Sequence, residues 1–226
     1  MTRIPAAERR SELVDAAVRV IAIRGVDGAT TRRIADAADA PLATLHYCFS
    51  SKEELFAEVF RFVAGQYREV LARNDCHGDV KETARSLMRG VMEWYVANED
   101  LGRAIIELIS WARRQASEQA VMVYTEANSA LRTILEADAA AAGQSLAQRA
   151  IDELAYMVTV LSDGFAMNWL VFADRDAAPA HMDLTVRALD AWMDANLDAD
   201  PGAGPGAHDA HSARSVGALL SWVELA

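Results

Sequence analysis

The sequence predicts an all-α protein, and three observations predict it. Apolar residues recur at helical spacing nearly everywhere, and no stretch sustains the period-two alternation of a half-buried strand. Two short segments near the N-terminus, around Ile34-Ala35 and Leu45, flank a tight turn at Asp39-Ala40. A long segment, residues 154–172, is apolar nearly all round, as a helix covered on several sides must be. The 226 residues suffice for one large domain or two small ones.

The elements follow in order. A first helix over about 8–24 carries Leu13, Val14, Ala17, Val18 and Ile21 on one stripe, and Gly25 is placed to stop it. Thr30 is a good N-cap for a short second helix through Ile34, Ala35 and Ala38. Pro41 opens a third. Ser51-Lys52-Glu53-Glu54 has the Ser-x-x-Glu form of a capping box and opens a fourth through Leu55, Phe56, Val59, Phe60 and Val63. Asp79, with Glu82 three residues on, opens a fifth whose stripe is Ala84, Leu87, Val91 and Trp94. Further helices are expected over about 101–115 and 118–142. Ser145 with Gln148 is expected to open the segment to Phe172, and Pro179 sits near the start of a last helix ending near Leu197. From Asp200 the run PGAGPGAHDAHSAR reads as a flexible tail. The division expected is 1–56, 57–199 and a tail over 200–226.

Composition bounds the class. A hydrophobic share of 52% and a charged share of 24% describe an ordinary globular chain. No uninterrupted apolar run reaches the ~18 residues of a membrane span, and MTRIPAAERRSEL has no apolar secretory core, so a cytoplasmic location without membrane attachment is expected. Cys48 and Cys76 are too few for a disulfide scaffold. The net charge of −11 opposes nucleic-acid binding until its distribution is considered. Residues 1–52 hold eight Lys+Arg against six Asp+Glu, so the remainder carries a net −13. A mildly basic head on an acidic body can dock on phosphates with the body facing away.

The most specific stretch is TTRRIADAADAPLATLHYCFSSKEELF, residues 30–56. Ile34, Ala35, Ala38, Leu45 and Phe49 supply contacts that fix two short helices at an angle, and neither would be stable alone at such a length. That is a helix-turn-helix, whose second helix fits the major groove of B-DNA. The pattern Ile34-Ala35, Thr44-Leu45, His46-Tyr47 and Phe49 followed by Ser51-Lys52-Glu53-Glu54-Leu55 resembles the tetracycline-repressor (TetR) family over about residues 8–56. Two departures stand out. Asp39 takes the place of the usual turn glycine, a position Asp tolerates. Pro41 stands where a capping Ser is common, which loses a cap and pre-sets the backbone. The resemblance implies a ligand-responsive repressor that binds a palindromic operator as a homodimer. It implies phosphate contacts from Thr30, Arg32, Thr44, Tyr47 and Lys52, with Leu42, Ala43 and His46 facing base edges. Leu42 and Ala43 could read only thymine methyls or shape.

In that family the C-terminal domain dimerises and holds a small molecule, and the residues here agree. The stripe Val121, Tyr124, Asn128, Leu131, Leu135 and the stripe Leu154, Val158, Leu161, Phe165, Asn168 place polar groups where burial is expected. A buried amide needs a partner, and a ligand can be one. Trp94, Tyr95, Trp111, Met122 and Trp169 could wall a site for an apolar or aromatic effector. Taken singly, each of these is also an ordinary core residue. His208 and His211 lack further metal ligands. No nucleophile–base spacing, phosphate-cradling loop or carboxylate pair points to an enzyme, and no cofactor or metal is called for. The competing readings are a regulator without an inducer and a helical carrier.

Overall fold

The computed structural model describes residues 5–114 and 118–197 of the protein; the tail beyond, with His208 and His211, lies outside the described residues. The described residues form α1 (Ala6–Gly28), α2 (Thr31–Ala37), α3 (Leu42–Cys48), α4 (Lys52–Asn74), α5 (Val80–Ala97), α6 (Glu99–Arg114), α7 (Glu118–Ala141), α8 (Gln148–Phe172) and α9 (Ala178–Asn196). They contain no strand.

Local chemistry sets most of the boundaries. Thr30 accepts from the Arg33 N–H, Ser51 from the Glu54 N–H and Asp79 from the Glu82 N–H, so three expected N-caps are in place. The return arm of the Ser51 box is shifted by one: Glu54 accepts from the backbone N–H of Ser50 at 2.7 Å. Gly25, at φ 66°, breaks the helical geometry as expected, but one more turn follows before the chain leaves α1. Ser145 does not open α8. Its first residue is Gln148, whose side-chain amide donates across to Glu136 on α7 at 2.6 Å and is not free to reach back.

α1, α2, α3 and the first turns of α4 share one apolar cluster in which Leu13, Ile21, Ile34, Leu45, Phe49 and Leu55 are fully buried. α1 also packs along α6, and α4 continues unbroken past residue 56 to pack on α5 and α7. The expected boundary at 56 therefore falls inside a continuous helix. α8 packs on α5, α7 and α9. Across α5 and α9, Arg85 pairs with Asp190 at 2.5 Å, Arg89 with Asp183 at 2.6 Å and Lys81 with Asp194 at 2.8 Å.

By length and composition α8 passes for a membrane span, which leaves the expectation standing, because Asp163 interrupts its apolar run and much of the helix is buried in the core. Its inner face is core. Its outer face leaves Tyr156, Val160, Met167 and Val171 exposed, at 54, 43, 50 and 70%. These four fall at i, i+4, i+11 and i+15, one stripe of the helix.

Candidate nucleic-acid interface and effector site

α3 has two faces. Leu45 and Cys48 are buried against α1 and α2, which makes the Cys48 thiol an internal group. Ala43, His46 and Tyr47 point out, and Tyr47 is 83% exposed. Thr44 and Leu42 lie at the margin, and Leu42 packs partly on the core. The turn before α3 is made by Asp39 in the left-handed region, at φ 48°. Pro41, at φ −58°, gives α3 no side-chain cap. Its carbonyl accepts from the Thr44 N–H at 2.8 Å.

Most cations of this region are tied to backbone carbonyls. Arg10 donates to the Cys48 carbonyl, stacks 4.3 Å from the Phe49 ring centre and pairs with Glu54 at 3.3 Å. Arg19 reaches the Ala37 carbonyl at the end of α2, and Arg33 the Gly28 carbonyl at 2.8 Å. Lys52 donates to the Val26 carbonyl at 3.3 Å and lies over the Phe56 ring. These contacts close the last turns of α1, α2 and α3, where carbonyls lack helical partners. They hold the angle between the short helices. Arg32 is exposed on α2. Thr30 spends only its lone pair on the Arg33 N–H, so its hydroxyl proton is left to donate.

The body contains a polar cluster in which residues of four helices meet. Tyr124 on α7 donates to Asp163 on α8 at 2.8 Å. Asn128 donates to the Tyr124 carbonyl and accepts from the Thr159 hydroxyl at 3.1 Å, and the Tyr67 phenol from α4 lies near Thr159. Tyr95, on α5, is buried nearby. Burial pushes the Asp163 carboxyl above the usual carboxylate range, against the lowering effect of the Tyr124 hydrogen bond. Burial and then the Asp163 charge raise the phenols of Tyr67, Tyr95 and Tyr124.

Of the residues expected at a ligand site, Tyr95, Tyr124 and Asn128 thus come together. Trp94 meets Tyr95 edge-on, with ring centres 5.1 Å apart. Met122 is half-buried, and Phe165 and Trp169 are buried in the core. The Trp169 indole N–H has no partner among the described residues, and Arg175 covers its ring at 5.5 Å. Trp111 lies apart, edge-on to Phe56 of α4. Asn168, expected on a buried stripe, is exposed and donates to the Gly164 carbonyl. The buried line of α8 runs Leu154, Val158, Ser162, Phe165, Trp169, one position off the expected one at Ser162 and Trp169. On α7, Val121 and Tyr124 sit at a rim, and Val123 and Ala127 take the inward places.

Tyr67, Thr159 and Asp163 escaped the sequence reading. The signal for Asp163 was there: it is the one charged residue in LAYMVTVLSDGFAMNWLVF, and a charge in an apolar helix calls for a reason. A cleft of about 470 Å3 lies elsewhere, between α1 and the α5–α6 junction, lined by residues such as Val18, Arg19, Phe62 and Leu101. None of the expected effector residues lines it. Asp75, His77 and Asp138 bring possible metal-ligand atoms within 4.8 Å of one another, though Asp138 already accepts from the buried Thr83 hydroxyl.

A two-helix unit with one exposed face, locked to a larger helical bundle through α4, defines a DNA-binding regulator. Comparison with known proteins agrees. The profile of the family described as "Bacterial regulatory proteins, tetR family" matches residues 13–59. The nicotine-responsive transcriptional repressor HdnoR of Paenarthrobacter nicotinovorans is 32% identical over 195 residues, 85% of this chain and 97% of that one. The transcriptional repressor KstR2 of Rhodococcus jostii (strain RHA1) is 41% identical over 68 residues, 28% of this chain and 33% of that one. A TetR-family structure from Streptomyces coelicolor A3 superposes with a TM-score of 0.62 at 23% identity, covering 80% of this chain and 97% of that one, which supports the fold. The chain belongs to the tetR family of bacterial regulatory proteins and is a DNA-binding transcriptional repressor.

Proposed function

We propose that the protein binds a palindromic operator as a two-fold dimer and releases it when a small apolar or aromatic molecule enters the body. The observation that carries this reading is a pair of uncovered faces on one protomer. One is the outer face of α3. The other is the apolar stripe Tyr156, Val160, Met167 and Val171 on α8; Leu184 on the neighbouring α9 is also exposed, at 58%. A contiguous apolar face of this kind marks an association surface. Its pairing about a two-fold axis would set two α3 helices into successive major grooves, roughly 34–36 Å apart.

On this reading Thr30, Arg32, Thr44 and Tyr47 contact phosphates, and Ala43 and His46 face base edges. Lys52 would serve both the Val26 carbonyl and a phosphate. The lever is α4. Its first turn is held by Arg10 and by the Lys52 contact to α1, and its later turns carry Tyr67 into the polar cluster. A ligand shifts the operator equilibrium only by favouring one arrangement over another. Tenfold release needs ~1.4 kcal/mol of coupling, and operator must then weaken ligand binding by the same factor. The nicotine response named for HdnoR supports a small aromatic effector.

The test is Val160→Asp. The side chain is exposed in the protomer, so the variant stays folded. Sedimentation should report a monomer, and affinity for fragments the protein selects from random DNA should fall at least tenfold. A Val160→Asp protein that sediments and binds like the parent rules out this dimer face.

A further inference from the structure

Asp163 is a charge without a counter-charge. It is half-buried on α8, and among the described residues no Lys, Arg or His pairs with it. The Tyr124 hydroxyl, at 2.8 Å, takes one of the carboxylate's lone pairs and leaves the others. The phenols of Tyr67 and Tyr95 lie near enough to feel its charge. Desolvating a carboxylate costs several kcal/mol unless it is paired. A helix that only had to pack would carry Ser, Asn or Leu there.

The surroundings say what the missing partner is. Tyr67, Tyr95 and Tyr124 come from α4, α5 and α7, and aromatic rings attract cations. An anion would be repelled by Asp163, and a neutral ligand would leave its charge unanswered. The cluster is open on one side: Tyr124, which bonds Asp163, is 37% exposed. We infer that Asp163, bonded by Tyr124 and with the Tyr67 and Tyr95 phenols in its vicinity, recognises an organic cation, a protonated amine or quaternary ammonium on an apolar or aromatic body. The inference rests on the effector-release reading above and names the class of effector. A cation held there would bear on α8 and, through Tyr67, on α4, the helix that begins in the helix-turn-helix cluster.

The experiment titrates the full-length protein with benzyltrimethylammonium and with neopentylbenzene, its neutral carbon isostere, by calorimetry or thermal shift. The cation should bind the parent at least tenfold more tightly than the isostere does. Asp163→Asn should remove that preference while keeping the helical circular dichroism. Tyr124→Phe, which keeps the ring and the charge, should lose less than Asp163→Asn. Equal binding of cation and isostere, full cation binding by Asp163→Asn, or no cation binding by the parent at millimolar concentration each overturns the proposal. Operator release is read in parallel. Cation binding that needs Asp163 yet releases no DNA upholds the site and sinks the release reading. Release by a neutral compound that Asp163→Asn leaves intact upholds release and sinks the cation site.

Discussion

The α2–α3 pair and the α7–α8 pair solve opposite problems. In α2–α3 two seven-residue helices are too short to hold themselves, and the surroundings over-determine them. Phe49, Ile34 and Leu45 fill the space below, Arg10 and Arg19 tie off last-turn carbonyls of α3 and α2, and Arg33 ties α2 to the end of α1. In α7–α8 two helices of 24 and 25 residues need no such help, and their meeting line is left imperfect. Arg132 of α7 pairs with Asp152 of α8 at 3.2 Å, but around Asp163 the line carries a carboxylate, an amide and hydroxyls that, among the described residues, bond one another and not a cation. Geometry is guarded where shape must match DNA. It is left open where a second molecule could alter it. Regions that move are drawn from the less stable parts of a fold.

If that contrast is right, the head should be the more brittle region. Phe49→Ala removes a fully buried ring and the seat of the Arg10 guanidinium. It should cost about 3–5 kcal/mol in denaturant unfolding and abolish operator binding. Tyr124→Phe, in the body, removes one hydroxyl from a partly exposed ring and should cost less than about 1 kcal/mol. Comparable losses at the two sites would end the contrast.

The turn gives a smaller effect. Asp39→Val puts a β-branched residue at φ 48° and should destabilise by about 1–2 kcal/mol. Asp39→Gly should stay within about 0.5 kcal/mol of the parent, because relief of strain is offset by a freer unfolded chain. If thermal melts show Val and Gly to be equivalent there, Asp39 is not what sets the turn.

What could be read from the sequence divides along the same line. The head was legible because its determinants are local: Thr30, Asp39 and Ser51 act on residues three or fewer positions away, and Ile34, Leu45 and Phe49 lie within sixteen residues of one another. The body's cluster joins Tyr67 to Asp163 across 96 residues, a distance no helical stripe can bridge. Stripe reasoning found Tyr124 and Asn128, which share a helix. It chose Asn168 because it assumed a burial line that the structure runs through Trp169. It also left Arg10 and Arg19 without roles, since a cation's hold on a distant carbonyl leaves no pattern in sequence. The uncovered stripe of α8 was readable only as a helix that is apolar all round.

The smallest expected effect isolates the charge itself. Burial raises the Asp163 carboxyl above its usual range, so between the unfolded and folded pKa values the folded state binds more protons than the unfolded one. Stability contributed by this group is therefore fully present in acid and is lost as pH rises through the folded pKa. The titratable groups facing it are the phenols of Tyr67, Tyr95 and Tyr124, which stay protonated across this range. Asp163→Asn, of the same size and with an oxygen still able to accept from Tyr124, should then melt higher than the parent at pH 7. The gap should narrow as pH is lowered through the folded pKa, where the parent's carboxyl takes up its proton. Adding a saturating organic cation at pH 7 should raise the parent's melting temperature and leave the variant's unchanged, closing or reversing the gap. A variant that melts lower than the parent at pH 7 would mean that Asp163 is a structural bond acceptor whose charge the fold uses. The body would then be as tightly specified as the head.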